Sequence, residues 1–337
     1  TTVYAGGWFN KMGGQTRNSI AALDVTTGSV TAWDPDANGN VYALALNGTT
    51  LYVGGYFSHI GWQDRQNIAA LDTTADLNNA KSWNPGADNE VRALVVSGTT
   101  VYAGGWFSGV GGQLRNHIAA INASTGAVAS WNPNANNWVS ALAVSGTTVF
   151  AGGRFTSIGG QTRNYMAAID TTTSTATAWN PNASNYVCAL CVSGTNVFAG
   201  GDFIGVGGKT RNNIAALDVS TGVATDWNPN ANNTVYTFAL SDTAVYVGGE
   251  FTNIGGQTRN RIAALDPATG LASPWNPNAD NYVSALEVSG TLVYTGGYFA
   301  NIGGQTRNCI AALDAATGTA TTWNPDSNGV VEALAVS

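Results

Sequence analysis

Apolar residues along this chain fall into short runs separated by clusters of Gly, Asn, Thr and Pro. Runs such as 139–144 (VSALAV) and 310–314 (IAALD) are apolar at nearly every position. Runs of this length, rich in Val, Ile, Leu, Tyr and Ala and bounded by turn formers, predict strands. Near-continuous rather than alternating apolarity predicts strands covered on both faces. One stretch holds the full cycle: 283–288 (VSALEV), a Ser-Gly-Thr turn, 293–299 (VYTGGYF), a longer loop 301–308 (NIGGQTRN), 310–314 (IAALD), an Ala-Ala-Thr-Gly turn, and 319–323 (TATTW). That is four predicted strands per cycle.

The cycle recurs seven times. Its Trp stands at Trp33, Trp83, Trp131, Trp179, Trp227, Trp275 and Trp323, at spacings of 50 residues once and 48 five times. A period in this range marks a unit that cannot bury its own faces and needs neighbours. A β-helix or leucine-rich solenoid has shorter coils, so the expectation is an all-β, seven-bladed β-propeller of four-stranded antiparallel blades. It forms one domain over 1–337, with repeats near 3–50, 51–100, 101–148, 149–196, 197–244, 245–292 and 293–337. The run 331–336 is expected to close the ring by completing a blade whose other strands come from residues 1–33, which removes free sheet edges.

Composition narrows the function classes. Charged residues are only 10% of the chain and hydrophobic ones 44%, which excludes helical bundles. A net charge of −7 argues against nucleic acid and anionic membranes as partners. No apolar run approaches the ~20 residues of a membrane span, so no membrane insertion is expected. The three cysteines, Cys188, Cys191 and Cys309, have no disulfide or zinc spacing and are expected to be small buried hydrophobes.

A residue kept in every copy meets one physical need seven times. Gly pairs such as Gly6-Gly7 and Gly296-Gly297 lie inside a strand and predict a bulge or a close backbone approach. The Asp of IAALD is Asn122 in the third copy, so it is expected to hold a turn as an Asx acceptor rather than act as a charge. Arg17, Arg65, Arg115, Arg163, Arg211, Arg259 and Arg307 are expected to fork onto backbone carbonyls or the neighbouring blade, docking blades together. Asp34, Asp36 and Asn38 resemble the opening of a Ca²⁺ loop, but the later acidic ligand is missing, so only a weak Ca²⁺ expectation attaches to them.

Three columns vary freely. One follows the Gly pair and includes Trp8, Tyr56, Trp106, Arg154, Asp202, Glu250 and Tyr298; another precedes the first strand and includes Trp138, Tyr186 and Tyr282; a third precedes IAA, from Ser19 to Cys309. Varied positions on a fixed frame face solvent, the axis or a partner. Trp8, Tyr56, Trp106, Trp138, Tyr186, Tyr282 and Tyr298 are therefore the candidate binding residues.

The run Ala22-Leu23-Asp24 through Thr27-Gly28 to Trp33 resembles the tryptophan-docking motif of quinoprotein-like (PQQ-like) propeller repeats, A-x-D-x-x-T-G-x-x-x-W. Here four residues, not three, separate Gly28 from Trp33. The resemblance implies that the repeated Trp packs between adjacent blades. Quinoprotein dehydrogenases also hold their cofactor with an adjacent Cys-Cys pair, which this chain lacks. The chain is similar as well to Gly/Asn/Thr-rich propeller repeats of secreted prokaryotic surface proteins, which implies an extracellular or cell-surface location.

No Ser-His-Asp or Cys-His constellation is readable; Asp202 and Glu250 are the best candidate pair for a glycosidase-like site. The expectation is a non-enzymatic module that self-associates into a fibre or surface layer. The alternative is a lectin-like or protein-binding propeller that uses the variable aromatics on a glycan or surface protein.

Overall fold

A computed structural model describes all 337 residues. The chain folds into seven three-stranded antiparallel sheets, each accompanied by a two-stranded hairpin, and contains no helix. Residues from all seven inner strands line one narrow axial cavity, so the sheets stand around an axis as the blades of a β-propeller.

One sheet explains the others. Its inner strand is Val283–Ser289, its middle strand Leu292–Gly297 and its outer strand Ile310–Asp314, with Leu286 opposite Thr295 and Tyr294 opposite Ala312. The segment read as a long loop is instead a hairpin, Asn301–Ile302 paired with Gln305–Thr306. Gly303 and Gly304 both take positive φ (61° and 77°), which is what a two-residue turn matching the strand twist requires.

The expected fourth strand is reduced to a single bridge, Leu313 to Ala320. Asp314 N donates to Thr319 O and Thr321 N to Ala312 O, both at 2.9 Å, and the segment's remaining groups turn to the hairpin side. Ala320 donates its N–H to Gly303 O of the hairpin at 3.0 Å, and Thr321 O accepts from Arg307 Nη2. The repeated arginines do this in every copy: Arg17 Nη1 donates to Thr16 O (2.7 Å) and Nη2 to Thr31 O (2.8 Å). Each guanidinium thus ties hairpin to terminal segment within its own sheet, rather than docking one blade on the next.

The turn before that segment is held by the Asx side chain. Asp314 Oδ1 accepts from Thr317 N (2.7 Å) and Thr317 Oγ1 (2.9 Å), and Asn122 Oδ1 accepts from Thr125 N and Oγ1 at 2.9 and 3.0 Å. An amide oxygen serves as well as a carboxylate.

Inner and middle strands slip by one residue at the Gly pair. Val283 faces Gly297 but Ala285 faces Gly296, leaving Ser284 as an extra residue on the inner strand. A Cβ on Gly297 would meet Tyr282 O at 2.2 Å, and one on Gly296 would meet Val331 Cγ1 of the next sheet at 2.7 Å. The first glycine therefore admits the neighbouring blade and the second admits the bulge.

The core lies between sheets. Seven seams each bury a cluster of 12 to 14 apolar residues. Each seam carries one repeated Trp, which packs edge-on against the aromatic of its own middle strand, as Trp33 does on Tyr4 at 5.2 Å. Its indole N–H crosses the seam: Trp33 donates to Asp72 O (2.9 Å), Trp179 to Asp218 O (3.0 Å), and Trp323 to Asp24 O (2.9 Å), bringing the last repeat against the first. The sheet nearest both ends of the sequence combines Val330–Val336, Thr2–Trp8 and Ile20–Asp24.

Candidate functional site

The extra residue at each bulge belongs to no ladder pair, so its side chain is free to turn toward the axis. Around the ring these residues are Tyr42, Arg92, Ser140, Cys188, Tyr236, Ser284 and Glu332, and all seven line an axial cavity of about 420 Å³ together with Tyr186, Tyr282 and Glu250. Below it the cavity narrows to about 220 Å³ between rings of Ala and Leu from the same strands, with Thr237 and Phe238 in their places on one strand.

Sequence reasoning missed this column. Its signal was present: the middle letter of V-x-A changes in nearly every copy, while the Val before it is kept in all seven. Reading V-x-A-L as one continuous apolar strand hid it, because the bulge residue leaves the ladder while the residues on either side stay in it.

The candidate aromatics stand just above, at one mouth of the axis. The column after the Gly pair and the column before the inner strand are cross-strand partners, as in Trp8 with Val330 and Asn40 with Tyr56. Trp106 and Trp138 from adjacent sheets meet at 4.2 Å. Arg154 lies over Trp138 (5.4 Å) and over Tyr186 (4.6 Å), continuing this arc. On the other side Tyr282 stacks on Tyr298 at 5.9 Å and meets Tyr236 edge-on at 6.1 Å. Tyr56 is exposed at the same rim, and Trp8 is the most exposed of the set at 71%. Trp8, Tyr282 and Tyr298 flank a cleft of about 1250 Å³ whose other walls include the amides of Asn10, Asn18, Asn40 and Asn328.

The third variable column does something different. Ser19, Asn67, His117, Tyr165, Asn213, Arg261 and Cys309 all have φ between 60° and 65°. Each forms a left-handed bend stitched by two backbone bonds; Ser19 N donates to Phe9 O and Ser19 O accepts from Gly7 N, both at 2.9 Å. Ser19, Asn67 and Cys309 are buried, so variation here reflects tolerance of a strained bend and not exposure.

Burial sets the electrostatics of the axis. It pushes the Cys188 thiol, the Tyr186 phenol and the Tyr282 phenol each up to about 12. Tyr236 is raised by burial and by the neighbouring Glu250 carboxylate. Burial also raises Glu332, against the opposing pull of Ser284 and Arg92. Cys188 is thus an un-ionised thiol lining the axis, half-buried rather than packed in a core, and Cys191 packs at a seam beside Trp227. Arg92 pairs with Glu90 at 2.8 Å and lies over Tyr42 at 4.6 Å.

The carboxylate pair considered for glycosidase chemistry is divided between environments. Asp202 accepts from Asn185 Nδ2 (3.1 Å) at the exposed rim, whereas Glu250 lines the axial cavity. The Ca²⁺-like loop does not converge either. Asp34 turns to Arg17 (3.5 Å), Asp36 accepts from Asn18 Nδ2 (2.7 Å), and Asn38 Oδ1 accepts from the backbone N–H groups of Ser58 and His59 (both 2.9 Å). Nowhere do three or more His, Cys, Asp or Glu side chains gather as a metal would require, so these donors do not fit the ion.

The fold and the Trp–Asx seams define a β-propeller of tryptophan-docking repeats. Residues 2–228 match the PQQ-type family model described as outer membrane protein assembly factor BamB, and residues 242–268 match a β-propeller domain of unknown function (DUF5122). The chain belongs to this PQQ-like propeller-repeat family. No curated protein matches it significantly. Among solved structures it is similar to the computationally designed Ika8 protein, at 16% identity and a TM-score of 0.55, covering 90% of this chain and 92% of that one. It is also similar to a chain of the mitotic checkpoint complex, at 15% identity and a TM-score of 0.61, covering 87% and 80%. At such identities the likeness is one of fold alone.

Proposed function

We propose that the chain is a closed seven-bladed propeller acting as a non-enzymatic recognition module outside the cell or on its surface, and that it grips a saccharide across its aromatic mouth. The observation that carries this reading is the gathering of Trp8, Trp106, Trp138, Tyr282 and Tyr298 at one rim, where Trp8, Tyr282 and Tyr298 flank a polar cleft whose walls include several amides and the carboxylates of Asp36 and Asp64. The C–H face of a sugar lies on exposed indole and phenol rings, while its hydroxyls take amide partners. The closed ring draws support from the Trp323 to Asp24 contact, which repeats the other seams. The location draws on the scarcity of charge and the likeness to secreted surface repeats.

Glycan-array binding with Trp8→Ala, Trp106→Ala and Trp138→Ala tests the reading. At least one substitution is expected to weaken binding about tenfold or more. Absence of any binding, or binding indifferent to all three changes, sinks it.

Self-assembly is the second reading, favoured by the sheet that joins Thr2–Trp8 to Val330–Val336. The same pairing made between chains would produce an open-ended array. Size analysis across concentration decides: monodisperse monomer throughout counts against it.

A further inference from the structure

Four tyrosines wall the axial cavity: Tyr42, Tyr186, Tyr236 and Tyr282. Two of them already carry a cation on the ring face, Arg92 on Tyr42 and Arg154 on Tyr186, both at 4.6 Å. The other two meet edge-on at 6.1 Å, forming a corner with no cation in it. Beside that corner stand Glu250 and Glu332, neither of which forms an ion pair. The nearby Arg261 spends its guanidinium on the carbonyls of Glu250 and Phe251 (2.7 and 3.4 Å). Arg92, the one cation lining the cavity, is held by Glu90 at 2.8 Å.

We infer that the Tyr236–Tyr282 corner, with Glu250 and Glu332, is an aromatic cage for a small alkylated ammonium ion that enters along the axis. Ring faces attract a weakly hydrated cation through their quadrupole, and two enclosed carboxylates supply the countercharge. A cavity of about 420 Å³ falls within the usual span of small-molecule sites, about 300–1,000 Å³. The half-buried Glu332 carboxylate, destabilised by desolvation, is relieved by the incoming charge. Tyr282 and Glu332 line both the cleft at the mouth and the cage, so the two readings are told apart by Trp106, which belongs to the rim alone, by Tyr236 and Glu250, which belong to the axial cavity alone, and by ligand.

Calorimetric titration of the whole protein tests the cage, with choline as the probe and its uncharged isostere 3,3-dimethylbutan-1-ol as control. Choline is expected to bind saturably and the isostere at least tenfold more weakly. Glu332→Gln and Tyr236→Leu are each expected to weaken choline about tenfold, while Trp106→Ala leaves it unchanged. Glu250→Gln, a near-isosteric change, is expected to act like Glu332→Gln and serves if another variant fails to fold. The proposal is overturned if choline does not saturate, if the isostere binds equally well, or if the carboxylate variants bind choline as the parent does.

Discussion

At every seam an indole N–H crosses to the carbonyl of an Asp or Asn in the next sheet, whereas the seven bulge residues are Tyr, Arg, Ser, Cys, Tyr, Ser and Glu. Both positions sit on the same 48-residue frame. The seam must satisfy two blades at once, so one solution is copied. The bulge side chain has no ladder partner and meets a different group in different copies, Ser284 Oγ donating to Val331 O and Ser140 Oγ accepting from the Tyr186 hydroxyl, both at 3.0 Å, so each copy drifts or is selected alone. Repetition therefore reports packing, and its interruption reports the axis.

Breaking a seam should have the largest effect. Trp179→Ala removes a side chain that is 3% exposed and is expected to cost about 3–5 kcal/mol in denaturant unfolding. Trp106→Ala at the mouth should stay within about 0.5 kcal/mol of the parent. Equal losses would erase the distinction between seam and mouth.

Next come the glycines that let the two regions coexist. A Cβ on Gly201 would meet Tyr186 O at 2.1 Å, so Gly201→Ala should destabilise by about 1–3 kcal/mol and disturb the mouth around Tyr186. A Cβ on Gly160, in a hairpin turn, meets nothing within 4 Å, so Gly160→Ala costs only the left-handed penalty of about 1 kcal/mol.

Glu287 places a carboxyl at the seam, in a column otherwise filled by Ala45, Val95, Ala143, Cys191, Ala239 and Ala335. Burial pushes its carboxyl up to about 7. Folding therefore favours the protonated acid; stability is highest below the unfolded value near ~4.3 and falls as pH rises toward 7. Glu287→Ala should raise stability by about 1–2 kcal/mol at pH 8, with the gain shrinking toward pH 4 in thermal unfolding. A gain independent of pH would assign the effect to packing instead.

The smallest effect is expected at Trp62. It holds φ 64° where the other six hairpins place Gly, and it recovers part of that strain by donating from Nε1 to Asp34 O at 3.1 Å. Trp62→Gly should stabilise by about 0.5 kcal/mol, read as a small rise in Tm.

The blade was legible because its causes are local and repeated. Val, Ile and Ala runs, Gly pairs and the Asp-x-x-Thr-Gly turn each state a need that one sheet meets by itself. The terminal segment misled because TATTW has strand propensity, and the Arg307 guanidinium that takes the Thr321 carbonyl arrives from elsewhere in the repeat. The arginines were legible in part: their fork onto backbone carbonyls is present in every copy, but only the folded hairpin selects carbonyls of its own sheet over those of the neighbouring blade. The mouth was half legible. Variability marked Trp8 and Trp138, yet it marked Ser19 and Cys309 equally, where a strained backbone rather than a ligand is the cause.

The extra residue in each inner strand has a consequence for how such a protein changes over time. Because the slip begins and ends within one residue, strands above and below keep their pairing whatever letter stands there. A duplicated, deleted or exchanged repeat therefore carries its axial side chain intact to a new place around the ring. The axial lining is open to recombination as well as to point mutation, and whole units move as single characters of an alphabet.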